Sequence, residues 1–79
     1  MIDRNDIRLL LLPVKEKVTG VNIVINDEIT KKIENNGDIT VMDVSVYRNS
    51  LVIEYEDSME KYYNITSLDD ITNLNFKTN

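Results

Sequence analysis

Apolar residues near the start of the chain follow a helical period. Ile7, Leu10, Leu11, Val14 and Val18 fall on one stripe at 3.6 residues per turn and Gly20 follows as a stop, so the pattern predicts a helix over residues 4–19. Pro13 interrupts it. Inside a helix proline removes a hydrogen bond and clashes with the carbonyl four residues back, which requires a kink or a restart with Pro13 in the first turn.

From Val21 the period changes to two. Val21, Ile23 and Ile25 alternate with Asn22 and Val24, which predicts a strand ending at Asn26-Asp27. Residues 28–35 fit two readings. In one, Asp27 caps a short helix stopped by Gly37. In the other, Ile29, Lys31 and Ile33 form one face of a strand, and Asn36-Gly37 makes a hairpin turn; the β-branched residues favour this strand.

The following segment alternates more clearly. Met42, Val44 and Val46 form one apolar face, and Leu51, Ile53 and Tyr55 form another. A two-residue loop at Arg48-Asn49 matches the two by pairing Val46 with Leu51, Val44 with Ile53 and Met42 with Tyr55. Further on, Tyr63 and Ile65 are the apolar pair. Bringing them onto the face of Leu51 and Ile53 requires a three-residue loop, Asp57-Ser58-Met59. Ser67 followed by Asp70 has the form of a capping box, with Leu68, Ile71 and Leu74 as a short amphipathic turn, and residues 75–79 are expected to fray.

These elements predict an α+β fold. An N-terminal helix packs on an antiparallel β-meander of four to five strands, and a short C-terminal helical turn follows. The layout is that of a small SH3-like or Sm-like barrel, by arrangement alone and without a motif.

At 79 residues the chain is expected to form one small domain, near the size at which a single core only just offsets chain entropy. Cysteine and histidine are both absent, so no disulfide staples the fold and any zinc ligands would be carboxylates. Met1 to Arg8 is too acidic for a secretory signal, and the run Leu9–Leu12 is far too short to span a bilayer. A cytoplasmic protein with no membrane partner is expected. Alanine, glutamine and tryptophan are also missing, whereas isoleucine and asparagine each occur ten times, a bias that suits an A+T-rich bacterial, plasmid or phage gene.

Catalysis has few materials. Without histidine or cysteine, activation of a serine would need a lysine or carboxylate that no motif places nearby. Gly20 and Gly37 are isolated rather than part of a phosphate-cradling loop, and Asn35-Asn36-Gly37-Asp38 lacks the spaced acids of a calcium loop. No enzyme activity and no cofactor are expected. Direct nucleic-acid binding is not expected either, because Lys15, Lys17, Lys31 and Lys32 are offset by Glu16, Glu28 and Glu34.

The charge itself points elsewhere. The whole formal net charge of -5 arises between Glu54 and Asp70, where six acids face one base, Lys61. The expected register turns Tyr55 and Tyr63 into the core. It leaves an outer sheet face on which Ile39, Val41 and Val52 lie among acids. Candidate partner contacts are Asp43, Tyr47, Val52, Glu54, Glu56, Asp57, Glu60 and Tyr62. Such a face suits a small acidic inhibitor that occupies the basic, nucleic-acid-binding groove of a larger protein, for instance a nucleic-acid-processing enzyme. The alternative is a homo-oligomeric assembly protein whose mixed apolar and acidic face mates with itself.

Overall fold

In the computed structural model, which describes residues 2–79, helix α1 (Arg4–Leu11) precedes six strands. These are β1 (Val18–Ile25), β2 (Ile29–Glu34), β3 (Ile39–Tyr47), β4 (Ser50–Asp57), β5 (Glu60–Ser67) and β6 (Ile71–Thr78). All pairings are antiparallel, and they form two three-stranded sheets ordered β2-β1-β6 and β3-β4-β5. Ile7 and Leu11 from the helix, Val21 and Ile23 from β1, Val44 from β3, Leu51 and Ile53 from β4, and Leu68 and Ile71 share one buried cluster between the sheets.

The helix is shorter than its apolar stripe. It ends at Leu11 and Leu12 caps it, so Pro13 falls where no helical hydrogen bond is required of it. A 3₁₀ turn at Lys15–Lys17 leads directly into β1. Val18 is therefore buried as the first residue of a strand and not as the last of a helix, and Gly20 lies within that strand rather than ending a helix. Gly20 stands opposite Glu34, where an added Cβ would come within 2.8 Å of the glutamate Cβ. The pairing of β1 with β2 at this point depends on the missing side chain.

Residues 29–34 are a strand, with Val21 opposite Ile33 and Ile23 opposite Lys31. Asn36-Gly37 does not close a hairpin, because β2 and β3 belong to different sheets. Instead the segment turns a corner. The Asn36 side-chain oxygen accepts from the backbone N–H groups of Asp38 and Ile39, at 2.7 and 2.8 Å, and that of Asn35 accepts from Val41 at 2.7 Å.

Two features of the second sheet overturn the expected faces. Near the Arg48-Asn49 turn the register is the expected one, with Val46 opposite Leu51 and Val44 opposite Ile53. A β-bulge between Val41 and Asp43 then adds one residue, Met42, and Tyr55 pairs with Val41 instead. Met42 is thereby turned outward and half-exposed, while Val41 joins the core and Ile39 packs against it. Between β4 and β5 the loop has two residues, not three: Ser58-Met59, both at positive φ, as in the mirror-image turns that suit hairpins.

The C-terminal end also differs. Ser67 accepts a hydrogen bond from the Asp69 backbone N–H at 3.3 Å, but the helical element is only a 3₁₀ turn over Leu68–Asp70. Ile71–Thr78 then pairs with β1 instead of fraying, with Leu74 opposite Ile23 and Phe76 opposite Val21. Hydrogen bonding to β1 satisfies the backbone of a segment that sequence reasoning left free.

Candidate functional site: the outer face of the second sheet

The two-residue turn inverts β5. Ile65 lies opposite Val52 and Tyr63 opposite Glu54, both on the side away from the core, where Ile65 is 66% and Tyr63 57% exposed. The inward positions of the same strand are polar. Asn64 stands opposite Ile53 and Thr66 opposite Leu51, and the buried Thr66 hydroxyl donates to Asn64 at 2.9 Å. A strand with polar residues toward the core and apolar ones toward water reverses the usual alternation. It costs little on the inside because that hydrogen bond satisfies the buried hydroxyl.

This face gathers five of the expected contacts. Ser45, Val52 and Ile65 run across the three strands, Asp43, Glu54 and Tyr63 form the next row, and Tyr47 and Glu56 stand at opposite ends. Asp43, Tyr47, Val52, Glu54 and Glu56 are thus brought together, with an apolar centre that Tyr63 and Ile65 enlarge. The other three do not belong to it. Asp57, Glu60 and Tyr62 point to the opposite side of the sheet, beyond the end of the core, because Asp57 pairs with Glu60 and Tyr62 with Tyr55. Tyr62 stacks on Tyr55 with centroids 5.7 Å apart and donates its hydroxyl to Glu60 at 2.9 Å. That hydrogen bond is the main reason its phenol is held above the ordinary value. The outward assignment of Tyr62 and the inward one of Tyr63 are therefore exchanged.

Tyr63 and Ile65 are exposed members of this face that sequence reasoning missed. Their signal lay in the pairs that the two-residue turn creates, with Glu56 opposite Lys61 and Tyr55 opposite Tyr62. Both are favourable cross-strand neighbours. Either loop sets an acid against Glu60, Asp57 in the observed register and Glu56 in the longer one, so these two favourable pairs carry the distinction.

The acids of the face are unequal. Asp43 and Glu54 stand opposite each other, an unfavourable placement for like charges. Each has a counter-ion: Lys15 is 3.3 Å from Asp43, and Lys61 is 3.8 Å from Glu54. Lys15 also donates to the Val44 carbonyl at 2.6 Å, which fixes it at the edge of β3. Among the described residues Glu56 has no ion pair within the chain. Lys61 also stands directly opposite Glu56, so Asp43, Glu54 and Glu56 share the two lysines, and the carboxylate left over is at the Glu56 end of a face whose middle is nearly neutral and apolar.

Among the described residues no three acids, histidines or cysteines are grouped closely enough to hold a metal ion, and no helix is long and apolar enough to cross a membrane. Compared with protein-family models, curated proteins and solved structures, the chain matches none.

Proposed function

We propose that this chain is a non-enzymatic protein-binding module that docks through the outer face of β3-β4-β5 onto a larger protein. The partner's surface is basic and carries an apolar strip. The best-supported setting is a small acidic inhibitor, of the kind phage and plasmids encode, occupying a basic nucleic-acid-binding groove. One observation carries the reading: β5 turns Tyr63 and Ile65 to solvent beside Val52 while placing polar residues inside. An apolar centre edged by charge is the composition of an interface core and rim.

The parts divide the work. Tyr63, Ile65, Val52 and Tyr47 supply apolar area, whereas Glu54 and Glu56, about 6.6 Å apart along one strand face, offer carboxylates at a regular spacing. Negative charge of this kind speeds association with a basic groove and loses its effect as salt rises. Because Asp43 and Glu54 are already paired, affinity comes mainly from the apolar centre and steering mainly from the Glu56 end of the face. A partner association rate that falls with salt, together with an affinity that collapses in Tyr63→Ser/Ile65→Asp, is the expected result. Indifference to both would sink the reading.

The layout of the strands supports a finer description of the fold as well. Taken as one strand broken at residues 35–38, β2 and β3 leave five strands after the helix, in the order of a small SH3-like or Sm-like barrel.

A second reading keeps the same face but mates it with itself in a homo-oligomer, because its apolar centre would serve a second copy as well as a foreign partner. Sedimentation of Ile65→Asp against the unchanged chain separates the two, since only self-mating through this face makes assembly depend on Ile65.

A further inference from the structure

The helix leaves a second apolar surface open, which adjoins the face described above at Ser45 and Lys15. Leu9 and Leu12 are 70% and 77% exposed, and with Leu11 and Val46 they line a groove of about 350 Å³ between α1 and β3. The basic side chains of Arg8 and Lys15 stand at the same groove. At the β4-β5 turn the chain carries the complement. Met59 is 95% exposed, the most exposed large apolar residue described, and it sits between Asp57 and Glu60.

These two features cannot meet within one molecule. The groove lies beside Ser45 and Val46, which pair with Val52 and Leu51 near the β3-β4 turn, whereas Met59 is beyond the other end of β4. Strand β4 separates them by roughly 20 Å at 3.3 Å per residue. They can meet only between copies.

We propose that the Met59 turn of one copy docks into the α1–β3 groove of a second copy. Methionine is unbranched and adaptable, and so suits an irregular apolar groove. The acids beside it, Asp57 and Glu60, match the basic side chain of Arg8, while Lys15 at the same groove is already paired with Asp43. Two different patches are used, so the contact is head-to-tail: each added copy presents a fresh turn and a fresh groove, and association does not stop at two. The contact does not use Val52, Tyr63 or Ile65, the apolar centre of the outer sheet face.

Sedimentation velocity over a range of protein concentrations tests it. The unchanged chain is expected to grow in average mass with concentration, and less so at high salt. Met59→Asp and Leu12→Glu, both at exposed positions, should each weaken association about tenfold or more, the effect of losing a central anchor. Circular dichroism and thermal unfolding of both variants should stay as in the parent. The decisive sample is their equimolar mixture. Met59→Asp retains a groove and Leu12→Glu retains a turn, so the mixture should form a heterodimer that grows no further, while each alone stays monomeric. A parent that is monomeric throughout, a mixture that stays monomeric, or a dimer indifferent to both substitutions would overturn the proposal. Ile65→Asp, which disables the outer face, should leave this association intact.

Discussion

Ile65 lies directly opposite Val52 across the β4-β5 ladder, yet its side chain points away from the core that Ile53, one position along β4, helps to fill. Two isoleucines of one hairpin thus have opposite environments. Substituting Ile65 by Asp should change folding stability by no more than about 0.5 kcal/mol, as at other exposed sites. Ile53→Ala should cost about 2–5 kcal/mol through lost burial and a cavity. Urea unfolding of the two variants checks the pair, and comparable losses would show that β5 had been assigned the wrong face.

The Ser58-Met59 turn predicts a gain in stability. Both residues have positive φ, 51° and 73°, a region that L-residues with side chains occupy at a cost of about 1–2 kcal/mol. Glycine adopts it freely but loses more chain entropy on folding. Met59→Gly should therefore stabilise the fold by about 1 kcal/mol, read as a higher urea midpoint with an unchanged slope. The same substitution removes the proposed head-to-tail anchor, so stability and association should move in opposite directions.

Gly20 should tolerate nothing larger. An alanine Cβ would stand 2.8 Å from the Glu34 Cβ, and neither atom is the free end of a flexible side chain. Gly20→Ala should cost about 1–3 kcal/mol, the usual range for overpacking. Gly37→Ala, with no atom within 4 Å of the added methyl and no positive φ, should be close to neutral by the same thermal-unfolding measurement.

Glu34 ties the ends of the first sheet together. Lys77 donates to its carboxylate at 2.7 Å and Lys32 lies 3.3 Å away, and the hydrogen bond from Lys77 is the leading cause that holds its pKa below the ordinary 4.5. A carboxylate whose folded-state pKa is lowered contributes stability above its unfolded value, and that contribution is lost as pH falls through the lowered value. Lys77→Met should accordingly weaken the fold slightly at pH 7 and flatten the fall in stability on the acid side of 4.5. An unchanged acid limb would contradict the pairing.

Much of the fold was legible because its strands alternate. The β3-β4 turn and the pairs beside it followed from parity, and the β-branched residues of Ile29–Glu34 correctly favoured a strand. The helix was overextended because Val14 and Val18 continue its stripe by coincidence, Val18 being buried by β1. Bulges defeat parity altogether: in Ile39-Thr40-Val41-Met42 either set of alternate residues contains an apolar side chain, so nothing in the pattern marks Met42 as the extra residue. The site was half legible for a related reason. Assigning apolar residues inward is sound for a core strand, but it fails on β5, where Tyr63 and Ile65 face out and a Thr66–Asn64 hydrogen bond replaces apolar packing inside. Neither Ser58 nor Met59 is a residue that a mirror-image turn prefers, so the turn gave no warning.

The most direct test of the outer face is capture of its partner from the cell that encodes the chain, with Tyr63→Ser/Ile65→Asp as the matched bait and binding of the captured protein then titrated against salt. A basic protein should be retained by the unchanged chain and lost from the double variant although the variant remains folded, and its association should slow as salt rises. Equal retention by both baits, with binding unaffected by salt, would contradict it.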